Sequence, residues 1–269
     1  MMQLLRNRQE KFDVVVVSTL IIIAAVIGGG GYLSDFHGAT GVVFTGLIFG
    51  VPTGYLLARK PQNIKKTVLA GLLFGILFGF PFDFVATYTR AWTVNSHTIL
   101  FPNFILGVVH LDEIIWFFLW AAFVVTVYEH FIEHDKKWRV SRHVTYALIC
   151  GSVIALLVVS IFWADPALLK IPYSYAVSGL LAISPLWYLL FIHPKLWKKL
   201  AITSLVFIPV YSLFEFVALG NGWWWFGGEY IASISIGGIL LPVEELIYWI
   251  ILGAGTVAAY HELFLDDGR

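Results

Sequence analysis

Six carboxylic acids sit where a membrane helix would not ordinarily carry charge. Asp83 and Glu215 interrupt apolar runs, in Phe82-Asp83-Phe84 and Phe214-Glu215-Phe216. Asp112-Glu113 and Glu244-Glu245 each open a long apolar stretch. An acid at mid-bilayer costs about 2.5–3.5 kcal/mol on insertion scales, so it persists where it faces a bundle interior, finds a partner or does chemistry. A carboxylic acid kept protonated in an apolar site is a proton donor, and the chemistry it offers is general acid–base catalysis. A second reading applies to Asp112 and Glu244: an acid in the first helical turn complements the helix dipole and can accept free backbone N–H groups. Asp83 and Glu215 are mid-helix, so capping does not explain them; their alternative role is a hydrogen bond to a neighbouring helix.

Aromatic residues gather around the acids in sequence. Trp92, Trp116, Trp120, Trp223, Trp224, Trp225, Tyr248 and Trp249 all lie within a few turns of one. An interfacial belt accounts for such residues in many membrane proteins. Aromatic faces also stabilise cations. Trp116 and Trp120 lie four apart and share a helix face with Glu113. Acids beside aromatic faces suit protonation of an alkene and shelter of the carbocation formed.

The elements that must position these residues are membrane helices. The chain has 269 residues, 59% hydrophobic and only 13% charged, against roughly a quarter charged in a soluble domain. Apolar runs predict an all-α polytopic bundle of about eight spans, near 13–32, 40–58, 67–89, 113–131, 142–163, 174–192, 199–219 and 243–262. Each is close to the roughly 20 residues that cross a hydrocarbon core. Gly28 to Gly31 read as the end of the first helix, not as a cleavage site or a nucleotide loop. The Gly- and aromatic-rich connections 90–112 and 220–242 can dip toward the bilayer where the protein buries their backbone. Net charge is zero, which gives no case for a nucleic-acid partner. The single cysteine, Cys150, cannot form an internal disulfide.

Fifteen of the 17 Lys and Arg fall on one predicted side: Arg6, Arg8, Lys11, Arg59, Lys60, Lys65, Lys66, Lys136, Lys137, Arg139, Arg142, Lys195, Lys198, Lys199 and Arg269. Arg90 and Lys170 fall on the other. The positive-inside bias assigns the first side to the cytoplasm. The expected protein is a multi-pass protein of the cell membrane with both termini cytoplasmic, and the acids lie toward the opposite face.

The two halves match at a shift of 132 residues. Phe82-Asp83-Phe84-Val85-Ala86 falls on Phe214-Glu215-Phe216-Val217-Ala218, Trp92 on Trp224, Asp112-Glu113 on Glu244-Glu245, and Tyr128 on Tyr260. Acid matching acid at one shared shift is the informative part. Residues 1–135 and 136–269 are the predicted repeats, four helices each. An even number makes them parallel repeats about an axis along the membrane normal.

The carrying motif of the second half, Pro242-Val243-Glu244-Glu245, opens an aromatic-rich helix. Ahead of it stand Trp224, Glu229-Tyr230 and Gly237-Gly238, and in the first half Asp83 and Tyr128-Glu129. This constellation resembles the lycopene cyclase domain of the membrane-embedded bacterial, archaeal and fungal type, here as two fused copies over roughly 40–131 and 174–262. The first copy departs from the pattern: it reads His110-Leu111-Asp112-Glu113, without the proline and with one Glu replaced. Glu215 stands where an Asp is usual.

The resemblance implies a redox-neutral isomerisation of a linear carotenoid end group drawn from the bilayer. A carboxylic acid protonates the terminal alkene, the next double bond closes a six-membered ring, and a carboxylate removes a ring proton. It places Glu244, Glu245, Asp112 and Glu113 in the acid–base set, with Asp83 and Glu215 supporting, and Trp92, Trp116, Trp120, Trp224, Tyr248 and Trp249 around the substrate. The departures point to unequal roles, with the second half the expected centre. No Gly-rich fingerprint follows a strand, so no nucleotide cofactor is expected for the chemistry, and no metal. Rival readings are a proton-coupled transporter, a glutamate-type intramembrane protease, a metal site at His110, Asp112 and Glu113, and a non-catalytic lipid- or isoprenoid-binding protein.

Overall fold

The computed structural model describes residues 8–34, 41–101, 104–133 and 140–266. The basic residues Arg6, Lys136, Lys137, Arg139 and Arg269 lie outside them. The molecule is a bundle of α1 (Arg8–Ser34), α2 (Gly41–Arg59), α3 (Pro61–Tyr88), α4 (Leu111–Ile132), α5 (Val144–Ala164), α6 (Ser174–Ile192), α7 (Pro194–Gly220) and α8 (Val243–Ile251 with Gly253–Phe264). Among the described residues, seven helices are long and apolar enough to cross a membrane, and the pair forming α8, bent by 47° at Leu252, makes the eighth. The expected all-α membrane bundle is what forms, because in lipid only a helix satisfies its own backbone. The glycine run in α1 does not end it. The helix continues to Ser34, and Gly28 marks where the Phe44 ring crosses, since a Cβ there would lie 2.5 Å from that ring.

The long connections fold into short strand pairs over one end of the bundle. Strand β1 (Thr93–Val94) pairs antiparallel with β4 (Trp224–Trp225). Strands β2 (Phe104–Ile105) and β3 (Val109–His110) form one hairpin, and β5 (Ser233–Ile236) and β6 (Ile239–Pro242) another. Gly237 and Gly238 turn the second hairpin with φ of 60° and 85°, as a two-residue turn that follows the strand twist requires.

Three contacts join residues exactly one repeat apart. Thr93 pairs with Trp225 across β1 and β4. The Phe117 and Trp249 rings lie 5.6 Å apart between α4 and α8. At the far end, His261 Nε2 is 2.8 Å from Glu129 Oε1. A residue meets its own equivalent only near a rotation axis. These three levels therefore trace a pseudo-twofold axis running lengthwise between α4 and α8. This is the parallel-repeat arrangement, and α4, with 67% of its span buried, is the most enclosed helix.

The two repeats pack differently around that axis. On α3, Gly71, Gly75 and Gly79 form a stripe against α4, and a Cβ at Gly75 would come 2.4 Å from the Phe117 carbonyl. Small residues at four-residue spacing let membrane helices approach closely. The equivalent positions on α7 are Thr203, Phe207 and Tyr211, so the second repeat lacks this stripe; its close approach is at Gly255 of α8, where a Cβ would lie 3.2 Å from the Leu200 carbonyl. At the basic end, the buried Lys66 ammonium lies 2.7 Å from Glu129 and 3.2 Å from Asp266. Asp13 there accepts from Tyr55 and Arg59 and lies 3.0 Å from His130 Nε2. Burial also holds the Lys60 ammonium pKa below its usual range, against the pull of Glu10 and Glu129.

Gly75→Ala is expected to cost about 1–3 kcal/mol by overpacking, whereas Gly54→Ala, with nothing within 4 Å of a new Cβ, should be near neutral. Thermal unfolding of both variants in detergent checks this; equal melting temperatures would contradict the close approach of α3 and α4.

Candidate functional site

The site lies where helix ends and loops converge on the axis. Asp83 sits five residues before the end of α3, and Glu215 five before the end of α7. Both are at most 2% exposed. Neither carboxyl could be left there without donors. The donors come from the loops that follow. Trp224 Nε1 donates to Glu215 Oε1 at 3.0 Å. Trp92 Nε1, its equivalent, lies 3.1 Å from each of Asp83 Oδ1, Thr87 Oγ1 and Glu113 Oε1. The β1–β4 pairing brings both loops down together.

Glu113 and Glu245 occupy the same position, third in α4 and in α8, yet bond differently. Glu113 Oε2 accepts the His110 backbone N–H at 3.0 Å, the reciprocal half of a capping box. Glu113 Oε1 and Asp83 Oδ1 share the one Trp92 indole N–H, each 3.1 Å from its nitrogen. Two carboxyls held on one donor disfavour each other's charge. In α8 the residue before the first turn is Pro242, which has no N–H to offer. Glu245 is free of the cap and accepts instead from the phenols of Tyr175 and Tyr211, the latter at 3.1 Å. Glu215 lies close enough to Glu245 to interact electrostatically.

Asp112 and Glu244 have a different task. Asp112 Oδ2 and Oδ1 accept the Leu100 and Phe101 backbone N–H groups at 2.8 and 2.9 Å. Glu244 Oε1 accepts that of Ile231 at 2.6 Å. Each ties its loop to the first turn of the following helix. Burial pushes the pKa of the neighbouring His110 imidazole down despite the pull of Asp112. The ligand atoms of His110, Asp112 and Glu113 do not cluster as a metal site would require. His261, the histidine a glutamate-type protease would need near Glu245, is bonded to Glu129 at the other end.

Asp83, Asp112, Glu113, Glu215 and Glu245 all line one partly open cavity between α2, α3, α4, α7 and α8, about 700 Å³ with the open space of its mouth included. Trp92, Trp116, Trp224 and Trp249 line it as expected, together with Phe117, Tyr211, Trp223 and Phe226. Trp116 and Trp249 meet edge to face at 5.5 Å. Three expected residues lie elsewhere. Glu244 is outside the lining. Trp120 packs into the core against Phe49, Phe207 and Tyr211. Tyr248 donates to the Ala176 carbonyl and rests on Gly179. The wide helical turn Leu246–Ile251 directs Trp249 into the cavity and Tyr248 away from it; such turns favour functional sites. Two residues not expected from sequence belong to the site, Tyr175 and Tyr211. Tyr211 stands one helical turn before Glu215, a spacing that places both on one face.

The arrangement is that of a membrane enzyme-like cavity with two carboxyl pairs in an aromatic box. A family model described as lycopene cyclase matches residues 39–131 and 172–263. Those two regions cover about two thirds of the chain, and the chain belongs to that family as two fused copies of the domain. Membership supports a carotenoid cyclase-type function, that of an isomerase-type enzyme, in a membrane protein. No curated protein and no solved structure matches the chain.

Asp112→Ala should cost about 0.5–1.5 kcal/mol for each of the two hydrogen bonds it removes from the exposed Leu100–Phe101 backbone. Asp112→Asn, which can restore only part of the pairing, should fall between. Limited proteolysis of the 95–105 loop in detergent reports the loosening, and equal cleavage rates for all three proteins would refute the tethering role.

Proposed function

We propose that the cavity cyclises the end group of a linear, lycopene-type carotenoid that enters from the bilayer. The observation that carries this reading is the convergence of Asp83, Glu113, Glu215 and Glu245, two from each repeat, on one aromatic-lined cavity. A long polyene exceeds the cavity, so only one end is seated at a time. The proton adds to the inner carbon of the terminal double bond and leaves a cation on the dimethyl carbon. The nearby internal double bond attacks it, forming the ring bond and moving the cation to the methyl-bearing ring carbon. Loss of a proton from a carbon next to that cation restores a double bond. One proton enters and one leaves, so the reaction needs no oxidant or reductant.

The walls fit the intermediates. Trp116, Trp249, Phe117 and Trp224 present ring faces and edges, and an aromatic face stabilises a cation by about 0.5–2 kcal/mol or more when water is excluded. Exclusion of water also keeps the cation from capture as an alcohol. The basic residues at the opposite end of the bundle, Arg59, Lys60, Lys66 and Lys199 among them, support a topology with both termini in the cytoplasm and the cavity toward the other face.

Two measurements test this. Expression in a lycopene-accumulating bacterial host should yield cyclic carotenoids, and Glu245→Gln should lower their formation at least about a hundredfold, the scale of positioned acid–base catalysis. Unchanged lycopene with wild-type protein in the membrane, or undiminished cyclisation by the variant, would overturn the proposal. Fusing alkaline phosphatase or green fluorescent protein to the C-terminus should give fluorescence without phosphatase activity; the reverse would invert the topology.

A further inference from the structure

The two carboxyl pairs differ in what donates to them, and the difference follows from one residue. In the first copy, Glu113 is engaged by the His110 N–H, and its Oε1 and Asp83 Oδ1 each lie 3.1 Å from the single Trp92 indole nitrogen. Two carboxyls crowded on one donor disfavour a second charge, so the pair retains a proton. Asp83 Oδ2 has no hydrogen-bond partner among the described residues. In the second copy, Pro242 withholds the cap N–H, and two phenols turn their O–H groups onto Glu245. A carboxyl that accepts from two O–H donors presents the acceptor-only form of the group. Tyr175 is fully buried and Tyr211 is 3% exposed.

The phenols have no counterparts in the first copy. The position equivalent to Tyr211 is Gly79, where a Cβ would lie 2.8 Å from Phe117, and the position equivalent to Tyr175 is Val43. The close α3–α4 packing at Gly79 thus excludes a phenol from the first pair, whereas the equivalent position of the second carries Tyr211 bonded to Glu245.

We infer that the copies divide the reaction: the Asp83–Glu113 pair delivers the proton to the alkene, and Glu245, held by the positioning residues Tyr175 and Tyr211, removes the ring proton. This rests on the cyclase reading above. The C–H bond on the carbon next to the cation breaks, its electrons form the ring double bond, and the proton passes to the Glu245 carboxylate. Several carbons adjoin that cation, so the placement of the Glu245 oxygens selects which ring isomer forms. Tyr175 and Tyr211 fix that placement, and Pro242 keeps the carboxylate available to them.

Membranes from cells expressing each protein, supplied with lycopene, test the division by chromatography of the ring isomers. Wild-type protein should give one dominant isomer. Tyr175→Phe and Tyr211→Phe should each retain cyclisation but shift the isomer ratio at least fivefold. Pro242→Ala, which touches neither phenol, should shift it in the same direction by returning a cap N–H to compete for Glu245. Glu113→Gln should lower total product tenfold or more at an unchanged ratio. If a tyrosine variant fails to accumulate, Pro242→Ala and Glu113→Gln decide the matter. An unchanged ratio in Pro242→Ala and in the accumulating tyrosine variants, or a ratio shift caused by Glu113→Gln, overturns the division and leaves the cyclase reading standing. No cyclic product from the wild-type membranes overturns the cyclase reading itself.

Discussion

Carboxyl groups carried into an apolar bundle must be given hydrogen-bond donors, and this requirement organises the molecule. Asp83 and Glu215 lie too deep to reach water, so the chain sends an indole down from each following loop. For Trp92 and Trp224 to arrive together, β1 and β4 must pair, and they pair at the axis relating the two repeats. The connections are therefore part of the site, and their backbone is tied by Asp112 and Glu244 to the helices that follow. The Tyr230 phenol, whose pKa burial raises, donates to the Ala91 carbonyl and joins the two loops again.

Duplication supplies the frame, and the proposed chemistry rests on departures from it. The same position is filled by Glu113 and Glu245, but His110 recruits the first into a helix cap and Pro242 releases the second. The same helix face carries Gly79 in one copy and Tyr211 in the other. A symmetric pair of carboxyl sites would be chemically redundant. An isomerisation that must both give and take a proton is better served by two unlike ones.

The sequence made the frame legible because the bilayer leaves few solutions: long apolar runs, a charge bias and a repeat shift sufficed for eight helices in two parallel sets. The acids and Trp92 and Trp224 were legible because they recur at that shift. Tyr175 and Tyr211 were not, for the reason that makes them informative: they break the repeat. Tyr211 carried one usable signal, its one-turn spacing from Glu215, while Tyr175 sits on α6, distant in sequence from every acid. Closeness in sequence to the acids does not separate Trp120 and Tyr248 from Trp116 and Trp249: Trp120 lies one turn further into the bundle than Trp116, against Phe49, Phe207 and Tyr211, and Tyr248 turns to the Ala176 carbonyl.

The proposed reaction is a proton transfer by groups of the protein in a cavity that seats a carotenoid end. Cyclisation of lycopene by the protein in membranes equilibrated with deuterium oxide tests this most directly, with mass spectrometry of the product. Acid groups exchanged with solvent should place one deuterium in each ring formed. Rings that form without deuterium would contradict the account.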